Sequence, residues 1–421
     1  MLRRDLVTSL AATTALVAAP AIAQSTTEIV VEYSIPDLFK TLHEEIAREF
    51  TKANPQYKIT FRAPQPGYEE ITQSILRAAV ANTLPDVAYH GLNRQRIFVD
   101  RGIAQPLDGF VASDAQFREF GHAPGLLDIG KVKGKQYGIG FSLSTPIIYL
   151  NADLAAKAGA NTDAPTTTWD GLFDLARKIK ALGGGAQGFH FDWDITGNWM
   201  FQALVFSYGG TMLTDDEKKV AFDSEAGKQA ISTLSRMVKE GTMRDVAQSV
   251  ALQDFTSGSM GLWGHSTSRL GGVTKQVADK FKLRTAAFPI TANGRLPMGG
   301  NTAMLFAKDP AKQKAAWDYI KFATGPVGAT MMVKATGYFP SALKVADDPA
   351  MLKDFYAANP NHVVAMKQLP KATGWYAFPG ENGLKITDVI KDHLQSVVAQ
   401  KAEPLATLAK MSADVQKLLP A

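Results

Sequence analysis

The chain has 421 residues, 45 Lys and Arg against 40 Asp and Glu, a formal net charge of +5, and no cysteine. In an exported protein the missing cysteines exclude disulfides, Cys-ligated structural zinc and thiol nucleophiles together. Acidic and basic residues are interspersed with no basic block, which argues against nucleic acid as a partner and fits an ordinary soluble surface.

The first residues read as a secretory leader. Arg3 and Arg4 form a basic start, "LVTSLAATTALVAAP" is a short apolar core, and Ala21-Ile22-Ala23 is a small-x-small cleavage site. A signal peptide over 1–23 is expected, cleaved near Ala23-Gln24, with the mature protein in the periplasm. The run is short for a bilayer span and no second apolar run of about 18 residues follows, so it is a leader and not an anchor. "RRDLVTS" matches a twin-arginine signal loosely, and an ordinary Sec leader fits better. Cleavage removes Arg3, Arg4 and Asp5 and leaves a charge of +4 on about 398 residues, more than one core usually supports. Two lobes are therefore expected.

From Glu28 the pattern alternates. "EIVVEYS" is a strand. "LFKTLHEEIAREFTKANP" is an amphipathic helix with Leu38, Leu42, Ile46 and Phe50 at four-residue spacing, ending before Pro55. "YKITFRA" is a strand, "YEEITQSILRAAVAN" a helix with Ile71, Ile75 and Val80 turned inward, and "DVAYH" a third strand. Such a βαβαβ unit implies a parallel sheet covered by helices. "TWDGLFDLARKIKALG" opens on Thr168 as N-cap and closes at Gly183, and "SEAGKQAISTLSRMVKEG" repeats the design between Ser224 and Gly241. "GSMGLWG", "KLRTAAFPI" and "TAMLFAK" read as strands. "PAKQKAAWDYIKFAT" is a helix with Pro310 in its first turn. Helices fill the last hundred residues, and no repeat or flexible linker interrupts the chain.

One stretch stands apart. In "FSLSTPIIYLNADL", 141–154, Ser142, Ser144 and Thr145 precede a nearly continuous apolar strand, as expected of a strand buried on both faces. Three hydroxyls in four positions fit a turn that satisfies its own backbone, or a wall that faces a ligand.

Catalytic and metal motifs are missing. The sequence has no G-x-S-x-G elbow, no G-x-x-x-x-G-K-[ST] loop and no H-E-x-x-H pair. "GGGAQGFH" follows a helix and does not open one, so it is no phosphate cradle. His190, Asp192 and Asp194 alternate in "HFDWD", but no further His-Asp cluster supports a metal there, and a partly exposed loop is the plainer reading. No metal and no cofactor are expected.

What remains is a set of polar and aromatic groups at strand ends and turns. It includes Tyr68, "YHGLNR", the hydroxyls before Pro146, "DWDITGNW" with Asp192 and Trp193, "WGHSTSR" with Trp263, "GGNT", "TGYFP" and "GWYAFPGENG" with Trp375. In parallel α/β sheets, ligands sit beyond the carboxyl ends of the strands. Aromatic faces beside hydroxyls and amides suit a hydroxylated ligand, because its C–H faces stack while its hydroxyls take hydrogen bonds.

Seven segments in order make the sequence familiar: "EFTKANPQYKI", "LPDVAY" with "RGIAQPLDGFV", "GIGFSLSTPIIYLNADLAAKAG", "APTTTWDGLFDLARKIKALG", "FTSGSMGLWG", "PMGGNTAMLFAKDPAKQKAAWDYIKFAT" and "ATGYFPS". Across essentially the whole mature chain it resembles the extracellular solute-binding proteins of bacterial ABC importers, the family with the maltose-binding and glycerol-3-phosphate-binding proteins. The glycerol-3-phosphate pattern implies ligand contacts at Tyr68, Ser144, Ser266 or Thr267, Gly300 and Tyr338. Its acidic residue after "DVAY" is His90 here, and its phosphate-binding arginine has no counterpart in "AFPGENG", where Pro379 or a neighbour stands. The maltose pattern implies sugar contacts at Asn93 and Arg94.

The resemblance implies an α/β periplasmic-binding-protein fold: lobe 1 from 25–140 and 286–324, lobe 2 from 141–285 and 325–421, three chain crossings as a hinge, and the ligand between them. Residues 141–146 would then be the first crossing, with hydroxyls facing the cleft. The implied function is capture of a small solute and delivery to an ABC permease by a monomer without a cofactor. A sugar, glycoside or polyol is the first expectation, and glycerol-3-phosphate or another anionic sugar derivative the second. A secreted carbohydrate-active hydrolase working through Asp192 or Asp194 is the rival class, and a carrier for adhesion or chemoreception a third. Binding without turnover separates the enzyme from the binder.

Overall fold

The computed structural model describes residues 26–420, so the leader expected over 1–23 lies outside the described residues. Two separate sheets organise the chain. The first has five strands in the order Tyr57–Phe61, Thr27–Glu32, Val87–Gly91, Gly299–Leu305, Gly138–Ser144. Its first three strands are parallel, as the βαβαβ pattern requires, and Gly299–Leu305 runs antiparallel to both neighbours. The second sheet has four, in the order Leu283–Ala287, Pro146–Asn151, Met260–Ser266, Gln187–Phe191. Strands 138–144 and 146–151 are buried at every position, which explains the near-continuous apolar run of the second.

Each sheet has its own core. Helix Pro36–Ala53 lays Phe39, Leu42, Ile46 and Phe50 on the first sheet, where Ile29, Val31, Ile139 and Phe141 meet them. Helix Trp169–Ala181 covers the second sheet with Leu172, Phe173, Ala176 and Ile179 against Phe189 and Phe191. Its Thr168 cap accepts the Gly171 N–H at 3.2 Å, as the sequence predicts. Ser224 occupies the N-cap position of Glu225–Lys239 without a side-chain cap bond. In helix Tyr68–Val80 the residues Ile71 and Ile75 point inward, but Val80 is 87% exposed. At 100° per residue, Val80 sits about 140° round the helix from Ile75, on the solvent side.

The crossings fall later than the sequence reading placed them. Residues 141–144 belong to the first sheet, paired with Gly299–Asn301, and Thr145 alone links them to the second. The return runs through Met298, because Phe288, Leu296 and Met298 pack with the second core. Helices Pro310–Thr324 and Pro326–Ala335 both cover the first sheet, through Trp317, Ile320, Met332 and Val333. Val345 and Leu352 stay with that core, and only at Pro360–Gln368 does the chain reach the second sheet. There the Gln368 amide donates to Thr145 Oγ1 at 2.8 Å and Pro146 O at 3.0 Å, tying the first and last crossings together.

Among the described residues, no helix is long and apolar enough to cross a membrane.

Candidate functional site

The ends of both sheets meet at a cavity of about 330 Å³. The first lobe supplies Tyr68, Glu69, Ser144, Gly299, Gly300, Tyr338 and the start of the 36–53 helix with Asp37 and Leu38. The second supplies Ile195, Thr196, Trp199, Gln248, His265, Ser266, Ser268, Arg269 and Trp375. Two tyrosines of one lobe thus face two tryptophans of the other.

Each aromatic is fixed by its element. Tyr68 is the first residue of its helix, directly after the extended Gly67, and its hydroxyl accepts the Asn301 amide at 3.3 Å. Burial pushes its phenol well above the ordinary value, and burial raises Tyr338 as well, so both are neutral donors. Tyr338 stacks on Phe39 at 5.7 Å with 19° between planes. Trp199 donates its indole N–H to Pro297 O at 3.2 Å, and Trp375 to Gly197 O at 3.4 Å. The two indoles lie 6.2 Å apart, and Tyr68 meets Trp375 edge-on at 6.3 Å.

The glycine pair serves space and backbone. A Cβ on Gly299 would approach Ser144 Oγ at 2.8 Å and the Trp199 ring at 2.9 Å, so glycine opens that wall. Gly300 has φ +107°, and a Cβ there would lie 1.9 Å from Ser142 O. It sits beside the register shift between Asn301 and Thr302, a bulge that turns backbone toward the site. Across the cleft, Ser266 Oγ accepts the Ser268 N–H at 3.1 Å, and Ser266 O accepts the Tyr149 hydroxyl at 2.7 Å.

The charges at the cleft are paired. Arg269 of the second lobe meets Asp37 of the first at 2.7 Å. Arg94 meets Glu69 at 2.6 Å, and the Thr196 hydroxyl donates to the same carboxylate from the opposite lobe. Burial pushes Glu69 upward, but Arg94 and Thr196 outweigh it and hold the carboxyl below its ordinary value.

Six expected residues gather here: Tyr68, Ser144, Ser266, Gly300, Tyr338 and Trp375. The other seven lie elsewhere. His90 is on a central strand with its ring 4.3 Å from Phe98 and 5.7 Å from Phe306, and burial lowers its pKa to about 3. Asn93 and Arg94 line a smaller chamber behind Tyr68. Trp193 is buried in the second core. Trp263 packs against Tyr149 at 5.1 Å and Phe255 at 5.7 Å, one layer below the surface of the site. Thr267 is buried, and its carbonyl oxygen is 1.8 Å from where a Gly337 Cβ would stand.

Asp192 is fully buried, contrary to the loop expected there. His190 Nε2 lies 2.9 Å from Oδ1, while Trp263 Nε1 and His265 Nε2 lie 3.1 and 3.2 Å from Oδ2. It supports the floor under His265. Burial lowers the His265 pKa to about 4 against the pull of Asp192. Asp194 accepts the Gln248 amide at 2.7 Å. No group of three His, Cys, Asp or Glu among the described residues is placed to hold a metal.

Sequence reasoning missed Asp37, Glu69 and Gln248. Thr196, His265 and Ser268 fall inside "DWDITGNW" and "WGHSTSR", so the segments carried the signal but not the choice of residue. One consequence concerns fluorescence. Solute is expected to change the emission of the wild type, and Trp199→Phe with Trp375→Phe is expected to remove most of the change. Trp193→Phe and Trp263→Phe are expected to keep it, since neither ring lines the cavity. Titration of the three variants checks this, and an unchanged response without Trp199 and Trp375 would place the solute elsewhere.

Two α/β lobes with an aromatic and hydroxyl-lined cleft at their junction define a protein built to enclose a small molecule. Residues 45–363 match the family described as bacterial extracellular solute-binding protein, well over half of the chain, and the chain belongs to that family. It is 24% identical over 410 residues to the sn-glycerol-3-phosphate-binding periplasmic protein UgpB of Escherichia coli, covering 92% of this chain and 91% of that one. Among solved structures it is similar to UgpB from Mycobacterium tuberculosis in complex with glycerophosphocholine, with TM-score 0.82, 20% identity and coverage of 93% and 98%. It is also similar to the GacH receptor of Streptomyces glaucescens, solved with acarbose, at TM-score 0.80, 21% identity and coverage of 94% and 98%. These likenesses establish the two-lobed fold.

Proposed function

We propose that the protein is the periplasmic substrate-binding component of an ABC importer, that it captures a neutral hydroxylated solute (a sugar, glycoside or polyol), and that it hands it to a membrane permease. Family membership supports solute capture, and the pairing of the cleft's arginine, Arg269, with Asp37 supports a neutral solute. A phosphate dianion is held best by a free guanidinium or a helix N-terminus. Here Arg269, the one arginine among the described residues of the cleft lining, is committed to Asp37, and Asp37 and Glu69 stand in the first turns of the two helices that open on the cleft, where they would repel an anion from those N-termini. Losing one charge-assisted hydrogen bond costs an anionic ligand about 1.5–3 kcal/mol, while a neutral one loses nothing.

Capture follows from the geometry. Solute that touches both lobes favours the closed arrangement in proportion to its preference for that state. The interlobe pairs Arg269–Asp37 and Thr196–Glu69 add to closure at the mouth. The monomeric state and the absence of turnover belong to the same proposal. Burial of Asp192 among His190, Trp263 and His265, with the Trp263 indole donating to it, speaks against its use as a hydrolytic acid or nucleophile.

A second reading keeps the importer role with glycerol-3-phosphate or a glycerophosphodiester as solute, favoured by the resemblance to the two UgpB proteins. A thermal-shift screen over sugars, polyols and phosphodiesters tests both. A stabilising neutral sugar or polyol, recovered unchanged after incubation, is the expected result. Stabilisation by phosphodiesters alone would replace the first reading with the second, and consumption of the solute would overturn both.

A further inference from the structure

A second chamber of about 170 Å³ lies between the lobes, one helical turn beyond Tyr68, and shares no lining residue with the solute cleft. From the first lobe come Arg94, Arg96 and Arg101. From the second comes the start of helix Gly383–Val398, sixteen residues long. We infer that this chamber is a binding site for a small tetrahedral oxyanion of the phosphate or sulfate class, distinct from the transported solute.

Independent observations converge on an anion. No side chain caps the helix: Asn382, at its N-cap, donates its amide to Leu418 O at 2.9 Å instead. The first N–H groups of a helix and its dipole favour negative charge. Arg94 has a side chain only 6% exposed and uses Nη2 on Glu69, while its buried Nε has no hydrogen-bond partner. A buried guanidinium N–H without an acceptor is costly, and an oxyanion supplies one.

The carboxylates around the chamber do not fill this role. Asp100 is engaged by Lys133 at 2.6 Å and Arg96 at 3.4 Å. Glu381 is 89% exposed and meets Arg101 at only 3.8 Å. Glu217, from outside the lining, takes Arg96 through two bonds of 2.6 and 2.7 Å. The lining hydroxyls of Thr72 and Thr387 already donate to Tyr68 O and Leu384 O. None of these groups gives the Arg94 Nε–H an acceptor, and the buried Oδ1 of Asn93, also in the lining, has no donor.

The chamber also bridges the lobes. An anion there would join first-lobe arginines to a second-lobe helix and so favour the closed arrangement. By linkage it would tighten solute binding in the cleft, and solute would tighten the anion by the same factor.

Calorimetry with inorganic phosphate and with sulfate, at ionic strength fixed by chloride and without solute, tests the site. The mature protein is expected to show saturable one-to-one binding with Kd of about 1 mM or tighter. Arg101→Ala and Arg94→Gln are each expected to weaken it about tenfold or more. Arg48→Ala, an exposed arginine of helix Pro36–Ala53 outside both linings, is expected to leave it unchanged. Arg101 is partly exposed, so its variant keeps the test valid if Arg94→Gln fails to fold. No saturable heat, equal affinity in Arg101→Ala, or an equal loss of binding in Arg48→Ala would overturn the inference. None of these outcomes bears on whether a neutral solute occupies the cleft.

Discussion

Lowering the pH from 7 to 5 is expected to reduce the free energy of unfolding by about 2 kcal/mol for each of His43 and His90. His43 is fully buried among Tyr33, Phe39, Tyr89 and Phe141, at ring distances of 4.5, 5.9, 4.4 and 5.2 Å, and neither ring nitrogen has a hydrogen-bond partner. Burial lowers its pKa to about 3, as it does for His90. The sign follows from the unfolded chain, where histidine titrates near 6.5. Above that pH both states hold the neutral ring and stability is complete. As the pH falls toward 3, the unfolded chain binds protons that the folded one refuses, and stability is lost. His122, His265 and His362, lowered to about 4 chiefly by burial, add in the same direction. Two such rings alone remove about 4 kcal/mol from a total that is typically about 5–15. Denaturant unfolding of wild type and His43→Leu at pH 7 and 5 checks the effect. The variant is expected to lose about 2 kcal/mol less over that interval. An equal loss in both proteins would show that His43 is not the neutral buried ring described.

Tyr338→Ala and Trp375→Ala are each expected to weaken solute binding by about 1–3 kcal/mol, roughly tenfold to more than a hundredfold. The rings belong to opposite lobes, so each removes a stacking face and also part of the preference for closure. Tyr338 rests on Phe39 and Trp375 on Gly197 O, and both rings line the cavity at the edge of their cores. Circular dichroism is therefore expected to stay native. Trp263→Ala differs: its ring fills the floor between Tyr149, Phe255 and His265, so the expected loss is in stability first. Calorimetric affinities of the three variants separate the roles. Unchanged affinity in both Tyr338→Ala and Trp375→Ala would move the solute out of this cleft.

The sequence was most legible where periodicity speaks. The alternation from Glu28 to His90 gave three parallel strands and two helices in their places, and the hydroxyl run at 142–145 marked the first crossing. Ser142 and Ser144 end a strand of the first sheet, and Thr145 is the link, so a turn was not needed to explain them. The end of the first lobe was hidden because helices 310–324 and 326–335 are amphipathic in the same way as those of the other lobe. Pattern tells that a face is buried, not against which sheet.

Site residues were lost for a related reason. On a central strand covered on both sides, Tyr89 and His90 point to opposite faces and both are buried, so polarity at a strand end does not choose the cleft face. The same ambiguity admitted Trp263 and Asp192, which lie under the site and not on it. Glu69 and Asp37 went unmarked because a carboxylate in the first turn of a helix has an ordinary reason to be there. Their cross-lobe partners, Thr196 and Arg269, are visible only once both lobes are folded.

Capture of a neutral hydroxylated solute is tested most directly by competition calorimetry, with glycerol-3-phosphate against a panel of neutral sugars and polyols. The cleft, with Arg269 already paired to Asp37, predicts one-to-one binding of a neutral member of the panel, undisturbed by an excess of the phosphate ester. Submicromolar binding of glycerol-3-phosphate, with no response to any neutral sugar or polyol, would contradict it.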